Sequence, residues 1–467
     1  MLVLLTIGML SLTFNIQPAK SEWTGTVYIR ADGSIDPPDA PIQRVGDIYT
    51  LTGNITSSGD GIVVERDGVI IEGSGYTLEH IRGYVSHGID LSGRTNVTVK
   101  NLQIMRFSSG IWLYHSTNCL ISGNNVTKTS TIGIAIGDSS GNTIVRNNIQ
   151  QSIMVAIQLD NSSNNIASAN NVSINSQGIW IIHSFNNTLS ENTIISNEHY
   201  GVQLSFSPNN TILNNVFVND GLFVNDARLW APGSKSYFNV VEGNIVNGKP
   251  LVYFEGVENC SVGEAGQVIL INCNNVTVEN LNLSNTRIGI ELLGTYNCSI
   301  FQNSITNDAS GIWLGDSSNY NSIYKNEITA NGAGIYIWDS GNNVISGNNI
   351  TNNGVGVRLS YSSNNVFYHN NFMNNTIQAK TYDSSNNIWN VNYPLGGNYW
   401  SDYNRTDFYS GPYQNETGSD GIGDTPYIID ENNQDHYPLM RTWPPQEHEL
   451  NVSLTAPAYL QLGGSIW

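Results

Sequence analysis

Charge is scarce in this sequence. Charged residues make up 12% of its 467 positions, about half the ~25% of an ordinary soluble domain. The 19 Lys and Arg stand against 38 Asp and Glu, a net charge of −19. That balance excludes a nucleic-acid partner, whose phosphates require basic patches, and an anionic membrane surface. Cysteine is scarce too. Cys119, Cys260, Cys273 and Cys298 show no metal-ligand spacing. They read as small, partly buried thiols, with a Cys260–Cys273 bridge left open. No apolar run reaches the ~18 residues of a transmembrane helix. What replaces charge is 65 Asn and 45 Gly, residues that favour turns over helix interiors. A mostly helical protein is therefore excluded. With 39% apolar and 10% aromatic residues, so is a disordered chain.

The first residues read as an export signal. Leu2–Phe14 is uncharged and mostly apolar, and Pro18-Ala19-Lys20-Ser21 follows it. The pattern predicts a secretory signal over residues 1–21, cleaved near Ser21 or Glu22, although no basic residue precedes the run. A buried first strand is the alternative. Cleavage would place the protein outside the cell or on its surface.

One internal period dominates the rest. Small residues before an aliphatic recur at Gly88, Gly110, Gly133, Ala156, Gly178 and Gly201, and again at Gly266, Gly289, Gly311, Gly334 and Gly356. The gaps within each block are 22 or 23 residues. A second column runs Asn101, Asn124, Asn147, Asn170, Asn192 and Asn215, then Asn280, Asn303, Asn326, Asn348 and Asn370. Such a period means a solenoid. Within one unit, Gly311-Ile312-Trp313-Leu314-Gly315 alternates as a strand does. A polar turn and further short strands around Ile323 and Ile328 complete the unit. Short strands with no helical stretch predict an all-β chain, a single-stranded right-handed parallel β-helix of 13 or 14 coils. Asn suits this fold because its amide can bond the equivalent amide one coil along, and because it tolerates left-handed turns.

The predicted organisation follows. Residues 22–60 cap one end, 61–389 form the β-helix and 390–446 form the other cap. Residues 201–265 interrupt the period as irregular coils, with a hairpin signalled by Asn247-Gly248. Residues 447–467 read either as the start of a truncated β-sandwich or as a docked tail.

The repeat Gly-Ile-x-Leu-x-x-Ser-x-Asn-Asn-x-Ile-x-x-Asn-x-Ile resembles the parallel β-helix repeats of the NosD-type and carbohydrate-binding/sugar-hydrolase group. Val63–Gly73 is similar to the first coil of that group. Gly397–Tyr403, Asp420–Tyr427 and Tyr437–Met440 are similar to the C-terminal ends of NosD-like domains in archaeal surface proteins. The resemblance covers roughly residues 23–441 and implies an exported protein, often at the cell surface. It also implies either copper delivery to nitrous oxide reductase, the role of members named for NosD, or work on polysaccharide. The fold alone hosts many functions.

The residues discriminate among these. Copper needs clustered His, Met or Cys, yet the eight His are scattered. His115 and His183 share a column but lie three coils apart, about 14 Å at the strand spacing, so copper is discounted. Catalysis on a glycan needs paired carboxylates. Asp138, Asp316 and Asp339 share a column, with Asp160 in the coil next to Asp138. Adjacent coils bring such pairs to roughly 5–8 Å, within glycosidase range. Asp opening a turn more often caps its own backbone, and the active-site signatures of polygalacturonases and β-helix uronan epimerases are absent. Binding needs aromatic faces beside hydrogen-bonding groups. The residue two after the column glycine points outward, and there stand Asp90, Trp112, Gln158, Trp180, Gln203, Glu291, Trp313, Tyr336 and Arg358. Tyr114 and Trp338 lie two residues further along their strands. A Ca²⁺ site is a candidate at Asp420 and Asp424, though a structural turn accounts for that loop equally.

The sequence thus points to an exported or cell-surface module that binds polysaccharide, with further domains of the same protein as candidate partners. The alternatives are a polysaccharide lyase, hydrolase or epimerase using the Asp pairs, a structural stalk or adhesin, and a copper accessory protein.

Overall fold

The computed structural model describes residues 23–81, 85–225 and 236–444. The export signal predicted at 1–21 and the tail at 447–467 lie outside them. Every regular element described is a strand, and the strands wind into a right-handed parallel β-solenoid of about 15 coils. None of the described residues forms a helix long and apolar enough to cross a membrane. The described residues divide into two compact units, the first built mainly from those up to 255 and the second mainly from those between 289 and 444.

Three parallel sheets form the walls of the first unit. One carries the longer strands, among them Ser109–Tyr114, Ile132–Gly137, Val155–Asp160 and Gln177–Ile182. Each pairs in register with the next coil: Ile111, Ile134, Ile157 and Ile179 form one file, fully buried. Two sheets of three-residue strands close the coil, for example Leu120–Ser122 and Asn125–Thr127. Their middle residues, Ile121 and Val126, also point inward. Two inward residues on a long strand and one on each short strand fill a narrow core with stacked aliphatics. The second unit repeats the plan, with Ser310–Gly315, Ala333–Trp338, Val355–Ser360 and Ile377–Tyr382 as its long strands.

Asparagine serves two places in each coil. Asn124, Asn147, Asn170, Asn192 and Asn215 are buried. Each donates its backbone N–H and its Nδ2 to the Oδ1 of the next, at 2.9–3.1 Å. A parallel ladder joins Asn142, Asn165, Asn187 and Asn210. The residue just before the ladder position turns left-handed, as at Asn164, Asn186 and Asn209. Asn-Asn pairs therefore place one amide in the turn and one in the core. This corrects the column read from sequence at two places. Asn101 and Asn280 are left-handed turn residues, with φ of 59° and 56°. Leu102 and Leu281 occupy the ladder position after them, donating backbone N–H to Asn124 and Asn303.

The ends are built from coils as well as caps. Val27–Ile29 pairs in parallel with Ile62–Val64, and Ile48–Leu51 with Ile70–Glu72. Residues 22–60 thus contribute coil strands, and the antiparallel hairpin Ile42–Val45 with Ile48–Leu51 blocks the open edge. These coils lack the Gly and Asn columns, which is why the period undercounts the coils. Asn247-Gly248 turns an antiparallel hairpin, Val246 facing Lys249, with φ of 50° and 82°. Near the C-terminus, Trp389 and Trp400 replace aliphatics in the core and stack on Phe367 and Phe372 at 4.2 and 4.3 Å. All four cysteines are free thiols, so the Cys260–Cys273 bridge is not formed. Burial pushes the Cys298 thiol up to about 11.

Candidate functional site

The outer face of the long-strand sheet in the first unit carries two files. One reads Trp112, Ala135, Gln158, Trp180 and Gln203; the other reads Tyr114, Gly137, Asp160, Ile182 and Ser205. Small residues in the coil of Ala135 and Gly137 sit between large ones, and the surface dips there into a groove of about 240 Å³. Trp112 and Tyr114 form one wall, Gln158, Asp160 and Asn161 the other, and Asp138 lies at the edge. A side chain at Gly137 would stand 3.0 Å from the Tyr114 ring. His87 backs Trp112, with near-parallel rings 4.8 Å apart, and His115 packs on Tyr114 at 4.1 Å. Tyr114 remains 39% exposed.

Hydrogen bonds fix the polar side. Asn161 donates its amide, and Tyr114 its hydroxyl, to the Asp138 carboxylate. These donors, with His115 nearby, hold Asp138 below its ordinary value, and the same bond raises the Tyr114 phenol. Asp138 does not cap its own turn, as Asp opening a turn usually does. It sits left-handed, with φ of 47°, and its backbone N–H bonds the Asp160 carbonyl of the next coil at 3.1 Å. Its carboxylate is thereby turned toward the groove.

The structure brings Trp112, Tyr114, Asp138 and Asp160 together. Trp180 stands two coils beyond the groove floor, half-buried, with its Nε1 donating to Ser205 Oγ at 3.1 Å. In the second unit Trp313 and Tyr336 stack with rings 6.2 Å apart and 10° from parallel, and Trp338 lies on the neighbouring file, half-buried. Asp316 is fully buried, whereas Asp339 in the next coil is half-buried. Gln203, though on the outer file, and Glu291 are likewise buried. Asp424 accepts the backbone N–H groups of Phe408 and Tyr409 and the Thr406 hydroxyl. Asp420 accepts the Ile422 N–H and the Gln414 amide. Both carboxylates thus brace their own loop. Ala135, Gly137 and Asn161 were not singled out by the sequence reading. The available signal was small residues in files otherwise carrying Trp, Tyr and Gln.

Coils of this hand, pairing and ladder chemistry define a right-handed parallel β-helix protein. Comparison with known families agrees: residues 87–245 match the right-handed β-helix region, and residues 231–405 match the periplasmic copper-binding protein NosD. Over residues 231–405 the chain is thus similar to NosD, and its described coils form a right-handed parallel β-helix. No curated protein matches it. It is similar in fold to an α-1,3-glucanase catalytic domain solved with nigerose, at 12% identity and a TM-score of 0.36, covering 81% of this chain and 63% of that one. It is also similar to the periplasmic alginate epimerase AlgG, at 11% identity and 0.31, over 74% and 80% of the two chains. A third is the tailspike protein of E. coli bacteriophage HK620 in complex with a hexasaccharide, at 12% identity and 0.35, over 90% and 84%. The chain thus spans less than two thirds of the glucanase domain's length. These likenesses are of fold and say nothing of chemistry. As for copper, among the described residues no three His, Cys, Asp or Glu side chains form a group suited to a metal ion. His87, His115, His183 and His369 pack against separate aromatic rings.

Proposed function

We propose that the protein is an exported or cell-surface module that binds polysaccharide along the outer face of its long strands. The groove carries this reading: two aromatic rings, one braced by His87, face an amide and carboxylate wall across a floor of Ala135 and Gly137. A pyranose offers an apolar face to the rings and hydroxyls to Gln158, Asp160 and Asn161. The rigid ladder beneath holds these groups with little entropy to lose on binding. Trp112→Ala is expected to weaken glycan binding about tenfold, close to 1.4 kcal/mol. Isothermal titration with a retained oligosaccharide measures it. Unchanged affinity in a folded variant would remove the groove from the account.

A second reading has its own support, because Asp138 and Asp160 line the same groove. If the protein cleaves its glycan, Asp138→Asn with Asp160→Asn abolishes fragment release. Export has a direct test: the mature protein isolated from its host should begin near Ser21 or Glu22.

A further inference from the structure

The second unit presents a different surface from the groove. Its outer file runs Trp313, Tyr336, Arg358 and Lys380 in register over four successive coils. Two stacked rings are thus followed by two cations. The Arg358 guanidinium lies over the Tyr336 ring, 4.8 Å from its centre. Beside this file stand Trp338, Ser360 and Tyr382.

The placement of the charges is unusual for this chain. Between residues 289 and 444 the Lys and Arg residues are Lys325, Arg358, Lys380, Arg405 and Arg441. Two of these five share one file. Both Arg358 and Lys380 are exposed, and among the described residues neither is in an ion pair. Acidic residues outnumber basic ones twofold in this chain, yet these two cations face solvent. A neutral sugar gains little from them. A carboxylate gains a bidentate fork from Arg358 and a point charge from Lys380. The cation–π contact with Tyr336 holds the guanidinium in place, so less freedom is lost on binding. Coils are about 4.8 Å apart, close to the advance per sugar in an extended glycan. A chain running along the coil stack would bring successive sugars against the Trp313 and Tyr336 side chains, and its next substituents over Arg358 and Lys380.

We propose that this face binds an acidic, uronate-bearing polysaccharide, with Arg358 and Lys380 reading its carboxylates and the Trp313 and Tyr336 side chains packing against its sugars. The inference rests on the glycan-binding reading above and adds the ligand's charge class.

The test uses the full chain with two probes, polygalacturonate and the same polymer with its carboxylates reduced to alcohols. Affinity is measured by titration at low and high salt. The wild type is expected to prefer the acidic polymer by about tenfold or more, a preference that shrinks in salt. Arg358→Gln with Lys380→Gln should abolish the preference, bringing the two polymers to the same affinity. Trp313→Ala should weaken both polymers. Equal binding of the two polymers, unmoved by the double substitution, overturns the inference and leaves glycan binding standing. Failure of the wild type to bind either polymer also overturns it, and retention of other glycans then decides the broader reading. Because both substituted side chains are exposed, the double variant folds; unchanged circular dichroism and thermal unfolding verify it.

Discussion

The asparagine ladders have a direction, and a carboxylate ends them. In the second unit Asn303, Asn326, Asn348 and Asn370 each donate to the next Oδ1, and Asn370 donates to Asn398. Asn398 then donates its backbone N–H to Asp435 Oδ2 at 2.7 Å, and Trp400 Nε1 donates to the same atom at 2.9 Å. The ladder Asn175–Asn197 likewise ends on Asp220. A carboxylate only accepts, so it satisfies donors that another amide would meet with donors of its own. Asn326→Ala leaves the Asn303 donors unpaired in the core and is expected to cost ~1–3 kcal/mol in denaturant unfolding. An unchanged midpoint would mean the ladder contributes nothing. Burial raises both Asp220 and Asp435 to about 7, against 3.8 for the ordinary group, with their hydrogen bonds pulling the other way. The folded state therefore holds these protons more tightly than the unfolded chain. Their contribution to stability is full below the unfolded value and is lost as pH rises through about 7. His369 runs the opposite way, since burial lowers it. The measurement is thus the difference between wild type and Asp435→Asn: between pH 5 and 8 the wild type should lose the more melting temperature. Parallel pH profiles would contradict this.

At the scale of the strand and its turn, the glycine column has a steric cause. A Cβ at Gly334 would stand 2.6 Å from the Gly356 carbonyl oxygen of the next coil, so Gly334→Ala must push two coils apart. A cost of ~1–3 kcal/mol is expected, read as a lower unfolding midpoint. Ala156 occupies the same column in the first unit, so one coil accommodates a methyl there. This column, the alternation of Ile312 and Leu314 with Trp313, and the Asn-Gly hairpin were legible because each is a local rule repeated. The phase of the Asn ladder was legible only to within one residue. Both its position and the left-handed turn before it favour Asn, and only the register between coils separates Asn101 from Leu102. The groove was partly legible. Trp112, Tyr114, Asp138 and Asp160 come from columns, but the depression depends on what Ala135 and Gly137 leave empty. Burial of Asp316 was not legible, because Asp138 and Asp339 share its sequence pattern and differ from it only in surroundings.

For the whole molecule, scarcity of charge and abundance of amide express one design. A solenoid buries one thin core per coil and must satisfy every backbone group between coils. Asn, Ser and Thr do this inside, which leaves the outer files free for aromatic, amide and carboxylate side chains. The account's central claim is that these files hold polysaccharide without cutting it. The most direct measurement passes neutral and acidic polysaccharides over the immobilised full chain and follows both retention and fragment release. Retention of at least one glycan, weakened by Trp112→Ala or Trp313→Ala and with no fragments released, is the predicted result. Retention of none, or release of fragments that disappears with Asp138→Asn and Asp160→Asn, would contradict it.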